Sequence, residues 1–344
     1  MITSEALSMH TDHLVFNSPQ SVRDAPGRWL RMAVKRYSLS QSKQAGSGIT
    51  LFFAHCVGAH KEQWDPTIQR VLELQQSIDE AYAFDWQTHG DSAVLNRELL
   101  DPEKSPGRVY GVSVLEWAEA IAAFASSSAM RGRRIVAVGH SAGAGAMILS
   151  TKYLTSPSVY EAIIAIEPTA ISHEMFYQEI DIRMSTMEFV VSATLTRRET
   201  WRTREDAFAW MRKRIPWSDW DERVLQKLVD DGLEATPEGV RVKGDRRQEA
   251  LCYPEPQPHF ETAALLANKS ISSKVHFIWA DSEAPLVPLF VQDALVVGAA
   301  STSKVQGGHM LVQEKPDELA VAISTILANR IGCISFRPQV SIIT

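Results

Sequence analysis

Apolar residues along this chain gather into short, dense runs: 48–54 (GITLFFA), 81–85 (AYAFD), 134–139 (RIVAVG), 162–166 (AIIAI) and 274–280 (KVHFIWA). The runs are rich in β-branched and aromatic residues and end at polar or turn residues. Without polar alternation, they suit strands buried on both faces, as in a parallel sheet flanked by helices. Between them, over 114–126 and 142–153, apolar positions return at helical spacing. A further strand is expected over 301–305 and a final helix over 317–328, while about the first 40 residues read as an N-terminal extension or edge hairpin. The alternation predicts an α/β protein with a mostly parallel central sheet flanked by helices.

From 169 to 266 the pattern changes. Strand-like runs become sparse, charges multiply, and the segment reads as amphipathic helices joined by Pro- and Gly-containing turns. We expect an inserted helical lid here, between an N-terminal part of the core (1–168) and a C-terminal part (267–344). Trp201, Trp210, Trp217 and Trp220 all fall within it. An aromatic underside facing a substrate is expected, with Trp217 and Trp220 as contacts, although aromatics at helical spacing more often pack a lid against itself. There is no internal repeat or low-complexity tract.

Composition narrows the function. Of 344 residues, 45% are hydrophobic and 22% charged, which suits a soluble globular chain with a large core. A net charge of -6 supplies no basic field for nucleic acid. No apolar run approaches the roughly 20 residues that span a bilayer, and no basic-then-apolar leader opens the chain, so neither membrane insertion nor export is expected. Cys56, Cys252 and Cys333 are far apart and outside metal-ligand spacing; a reducing, cytoplasmic setting without metal follows. The chain ends SIIT, which is no peroxisomal tripeptide. The expected partner is a small-molecule substrate, with no cofactor, and a homodimer is compatible with the sequence.

The chemistry is most legible at 134–150, RIVAVGHSAGAGAMILS, where a hydrophobic strand runs into Gly139-His140-Ser141-Ala142-Gly143 and then into a small-residue helix. This is GxSxG in the setting a nucleophile elbow needs: serine on a strained strand-to-helix turn, with glycines where the backbone passes close. Ser141 is the candidate nucleophile. Its base should come late in the chain, and His309, in the Gly-rich VQGGHM loop after the last expected strand, has that position. The acid has two candidates, each after an expected strand: Glu167, followed by Pro168, and Glu283 in ADSEAPLVP, with Asp281 a weaker third. An unpaired carboxylate at a buried strand end is costly, so one of them should have a partner. The oxyanion hole needs the amide after the nucleophile, from Ala142, and one from the loop after 48–54, for which Val57 is chosen and Cys56 is the alternative. His55, Cys56 and His140 are expected to shape the substrate pocket and orient these turns.

These residues resemble the fungal toxin-biosynthesis α/β-hydrolases, a group with an acyl-CoA hydrolase of the mycophenolic pathway and, more distantly, a zearalenone lactone hydrolase. The likeness rests on HCVGAHKEQWDP (55–66), DWQTHGDSAVLN (85–96), VGHSAG (138–143), the stretch 197–232 and GGHMLVQEKP around His309. It implies the α/β-hydrolase fold and a triad whose acid follows the strand after the elbow, which maps onto Glu167. Cys56 stands where such relatives usually carry glycine, implying a stiffer loop or smaller pocket. The expected activity is hydrolysis of an ester, lactone or thioester of a medium-sized, largely apolar metabolite. The competing readings are lyase or cyclase chemistry on the same fold, or non-catalytic binding of a small ligand.

Overall fold

A computed structural model describes residues 9–24, 26–39, 48–101, 103–105 and 111–330. Cys333 and the SIIT terminus lie outside the described residues. Among the described residues eleven strands run in chain order: β1 (Met9–Asn17), β2 (Arg31–Leu39), β3 (Ile49–Ala54), β4 (Ile78–Phe84), β5 (Arg134–His140), β6 (Tyr160–Ile166), β7 (Thr200–Trp201), β8 (Leu233–Thr236), β9 (Gly239–Val242), β10 (Val275–Asp281) and β11 (Ser301–Gln306). Eight of them form one sheet in the order β1-β2-β4-β3-β5-β6-β10-β11. The first two strands pair antiparallel, as do β2 and β4; every other pair in the sheet is parallel.

Period-two geometry divides each central strand between two cores. Ile49, Leu51 and Phe53 of β3 face one side, with Val136 and Val138 of β5 and Ile68, Val71, Leu319 and Ile323 of the helices Asp65–Leu74 and Pro316–Arg330. Phe52 and Ala54 face the other, with Ile135, Ala137, Trp117, Ile121 and Met147. Because both faces are covered by helices, the strands need apolar residues at every position, which is why they read as unbroken apolar runs. The helix Val114–Ala125 begins at a capping box in which Ser113 and Glu116 satisfy each other's amides.

The first 40 residues supply an antiparallel hairpin at the sheet's edge, β1 with β2. Between β6 and β10 the chain leaves the sheet. That segment holds helices including His173–Gln178, Ile180–Thr196, Arg204–Met211, Glu222–Asp231 and Gln257–Leu266. Beside these helices stands a small antiparallel sheet that the sequence did not single out, β7-β9-β8. Its strands are only two to four residues long, too short for a periodic pattern.

The sheet reverses its order of addition beside β3, so the loops following β3 and β5 splay apart at their carboxyl ends. Such a switch point is where an open α/β sheet forms a ligand crevice.

Candidate active site

Strand β5 ends in Gly139 and His140, and the chain then turns through Ser141 at φ 54° and ψ -118° into the helix Ala142–Ser150. A non-glycine residue at positive φ is strained and persists only where surroundings enforce it. The flanking glycines show how tight the enforcement is. A Cβ at Gly139 would collide with the Gly143 carbonyl, and one at Gly143 with the carbonyl oxygens of Ala54 and His55. The Ser141 amide donates to the Ile166 carbonyl at 2.9 Å, fastening the turn to β6.

His309 lies beyond β11, after Gly307 at φ 156°. Its Nε2 is 3.1 Å from Ser141 Oγ, and its Nδ1 is 2.9 Å from Glu167 Oε2. Glu167 is fully buried at the end of β6, at φ 48°, and its Oε1 accepts the Ala280 amide at 2.6 Å. With the Nδ1 proton donated to the carboxylate, Nε2 keeps a lone pair facing the serine hydroxyl. The structure thus brings together Ser141, His309 and Glu167. Glu283 and Asp281 are exposed, and Asp281 sits 3.8 Å from Lys304.

The sequence-selected pocket residues separate into three groups. Cys56, Val57, Ser141, Ala142 and His309 line a cavity of about 470 Å³, walled also by Ile171, Phe176, Ile182, Met187, Val190 and Val291. Ala142 is the first residue of its helix, so its amide has no intrahelical acceptor. Burial pushes the Cys56 thiol up to about 12, which keeps it a neutral thiol on the cavity wall.

His55 and His140 lie behind the cavity wall. His55 donates from Nδ1 to the Cys56 carbonyl at 2.7 Å and accepts the Trp86 amide on Nε2 at 3.1 Å. His140 donates from Nε2 to the His309 carbonyl at 2.8 Å. Burial lowers both imidazoles to about 3. They hold loops in place, so contact with substrate, as expected from the sequence, is replaced by a supporting position.

Trp217 and Trp220 also differ from expectation: neither lines the cavity. Trp220 is buried with Trp201, Ala207, Met211, Val224 and Leu225, and Trp217 packs at the margin of that cluster. The apolar stripe of helix Glu222–Asp231 needs covering, and these rings cover it.

Sequence reasoning missed His89. Its Nε2 accepts the amide of Gly58, at 3.1 Å, one residue past Val57; Gly58 itself is at φ 77°. Beneath the same loop Lys61 Nζ meets Asp85 at 2.9 Å, Glu62 at 2.8 Å and Asp91 at 2.6 Å. The signal lay in HCVGAHKEQWDP and DWQTHGDSAVLN, whose polar residues interlock here. His13, Glu62 and Asp91 place three potential metal-ligating atoms within 4.8 Å of one another, but Lys61 already pairs with both carboxylates. Among the described residues no helix is long and apolar enough to cross a membrane.

Residues 51–322 match the Alpha/beta hydrolase family, and the chain belongs to it. It is 24% identical over 327 residues to the "Peroxisomal membrane protein LPX1" of Saccharomyces cerevisiae, covering 87% of this chain and 81% of that one. The crystal structure of that peroxisomal α/β-hydrolase, Lpx1, superposes with a TM-score of 0.72 at 19% identity, over 98% of this chain and 94% of the other. A thioesterase domain from the curacin biosynthetic pathway matches at TM-score 0.63 and 18% identity, over 92% and 99%. An esterase from Thermogutta terrifontis matches at 0.56 and 12%, over 92% and 98%. These likenesses bear on the fold.

Proposed function

We propose that this member of the Alpha/beta hydrolase family is a serine hydrolase that cleaves an ester, lactone or thioester of a medium-sized, largely apolar metabolite through an acyl-enzyme. The observation that carries the reading is the continuous chain from Ser141 Oγ through His309 and Glu167 to the Ala280 amide, opening onto an apolar cavity. Esterase and thioesterase structures among the neighbours support hydrolysis as the reaction class.

In this reading His309 Nε2 takes the Ser141 proton as Oγ attacks the substrate carbonyl carbon. The carbonyl becomes an oxyanion, held by the Ala142 and Val57 amides in a site of low dielectric. Collapse expels the alkoxide or thiolate, which leaves with the proton from His309. Water then attacks the acyl-serine by the same route, and the acid departs. Glu167 holds the imidazole tautomer throughout and offsets the positive charge it carries between steps.

The acyl group occupies the cavity beneath the helix Ile180–Thr196. The resemblance to fungal toxin-biosynthesis hydrolases supports a biosynthetic metabolite as substrate. A cytosolic setting rests on the free, buried Cys56 and Cys252; the name of the yeast relative assigns that protein to the peroxisome, and fractionation of cells carrying this protein decides between the two. The function is tested by labelling with a fluorophosphonate and by a panel of esters, lactones and acyl-CoA thioesters, with Ser141→Ala as the blank. Absence of Ser141-dependent labelling and of turnover throughout the panel would overturn it.

A further inference from the structure

Polar side chains on the cavity wall are mostly engaged with the protein. The Thr186 and Thr262 hydroxyls donate to the Ile182 and Pro258 carbonyls, at 2.8 and 2.7 Å. Glu179 accepts from Arg183 Nη2 at 3.1 Å. Two of the lining groups keep capacity that the protein does not use. Arg183 commits only its Nη2 to a hydrogen bond among the described residues, and its side chain is about a fifth exposed. His259 donates from Nδ1 to the Thr169 carbonyl at 2.6 Å, so its Nε2 carries a free lone pair. Both residues line the cavity.

They are also neighbours. The Arg183 guanidinium lies over the Phe176 ring, 5.8 Å from its centroid, and Phe176 packs edge-on against Phe260, the residue after His259. Burial and then the charge of Arg183 hold His259 below its ordinary value, which keeps it neutral and an acceptor. A cationic donor and a neutral acceptor on one wall suit a group that both accepts and donates. A carboxylate would face the His259 lone pair and the charge of Glu179, while a plain alkyl chain would leave the remaining guanidinium donors of Arg183 without a partner in a dry site.

We propose that Arg183 and His259 form a hydroxyl-recognition subsite, and that the natural substrate carries a hydroxyl on the acyl portion seated under the helix Ile180–Thr196. This rests on the reading of the cavity as the acyl site of a hydrolase. The hydroxyl accepts from Arg183 and donates to His259 Nε2, fixing how far the acyl chain enters before its carbonyl meets Ser141.

The test compares decanoate with a series of hydroxydecanoates, the hydroxyl moved one carbon at a time. Kd of each free acid is measured on Ser141→Ala, and kcat/KM of each p-nitrophenyl ester on the otherwise unaltered protein. The same ratios are then taken in Arg183→Met and in His259→Asn, which keeps a donor toward the Thr169 carbonyl but lacks the Nε2 acceptor. One hydroxyl position should improve binding and kcat/KM by about tenfold or more over the plain chain, and both variants should bring that ratio close to unity without a matching fall in melting temperature. Turnover of the plain ester with no preference at any position, or a preference that survives both variants, overturns the subsite. Arg183-dependent binding of a hydroxy acid with no turnover of any ester leaves the subsite standing and overturns the hydrolase reading. Failure of binding and turnover together overturns both.

Discussion

Glu167 divides its carboxylate between two partners: Oε2 accepts from His309 Nδ1 at 2.9 Å, and Oε1 accepts from the backbone amide of Ala280 at 2.6 Å. The carboxylate is therefore fixed by β10, the strand next to its own, and both oxygens must stay acceptors. Glu167→Gln can place an amide nitrogen toward only one partner, and either choice sets donor against donor or permits the wrong imidazole tautomer. We expect kcat to fall by about a hundredfold to ten-thousandfold with a smaller change in KM. A loss under about tenfold, measured beside the melting temperature, would remove Glu167 from the triad.

Ser141→Ala should abolish turnover and leave the fold intact, while Ser141→Gly should be equally inactive but more stable. The turn stands at φ 54° and ψ -118°, a region costly to any residue with a Cβ and open to glycine. The expected gain of Gly over Ala is about 1 kcal/mol, read by denaturant unfolding. Equal stability of the two variants would mean that the backbone stores no strain there.

In the proposed reaction His89 is expected to act through the Gly58 amide, which its Nε2 accepts, and not by contact with substrate. His89→Gln can offer an amide oxygen near the place of Nε2, whereas His89→Leu removes the acceptor and frees the loop that carries Val57. The leucine variant should lower kcat by about ten- to a hundredfold at nearly constant KM, and the glutamine variant should recover most of it. Identical losses in both, following the melting temperature, would reduce His89 to a packing residue.

Stability should fall as pH drops from 6.5 toward 5. His55 and His140 are lowered to about 3 by burial, and His89 lies well below its ordinary value for the same reason. Unfolded, each titrates near 6.5, so below that pH the unfolded chain binds protons that the folded one refuses. The stabilisation is complete above 6.5 and is lost progressively toward 3. Each histidine contributes up to about 1.4 kcal/mol per pH unit, and from about pH 6.5 to 5 this lies above the range where carboxylates add their own effect. Unfolding free energies that stay level between pH 7 and 5 would contradict the buried neutral assignment.

Trp220→Ala should cost about 3 to 5 kcal/mol and depress kcat/KM for short and long esters alike. Trp220 is buried among Met211, Val224 and Leu225, away from the cavity, and the next residue's amide is bonded to the Gln313 carbonyl in the segment after His309 at 2.9 Å. Loosening this cluster would disturb the base's support and not a substrate contact. Selective damage to long esters with an unchanged melting temperature would restore the ring to the pocket.

Strands buried on both faces must be apolar throughout, so β3, β5, β6 and β10 were legible as runs, with boundaries off by a residue or two; β4 begins at Ile78, where polar Asp79 and Glu80 obscure its start. The elbow was legible because its steric demand falls on neighbouring positions in the chain: strand, glycine, serine, glycine, helix. His309 followed from chain order and its glycines.

Which of the two carboxylates meets His309 was a matter of another kind. By local sequence Glu167 and Glu283 are alike, carboxylates past a strand and close to a proline; what separates them is that β6 lies between β5 and β10, so its end is beside the elbow and the Ala280 amide, while Glu283 stands in solvent. The surroundings of His89, Arg183 and His259, and the inward packing of Trp220, depend likewise on segments distant in sequence. Sequence by itself determined the elements and the residue types able to react, because periodicity and local sterics act between near neighbours. Only the tertiary structure decided which of them meet, because hydrogen bonds and burial depend on distances that the order of strands in the sheet sets.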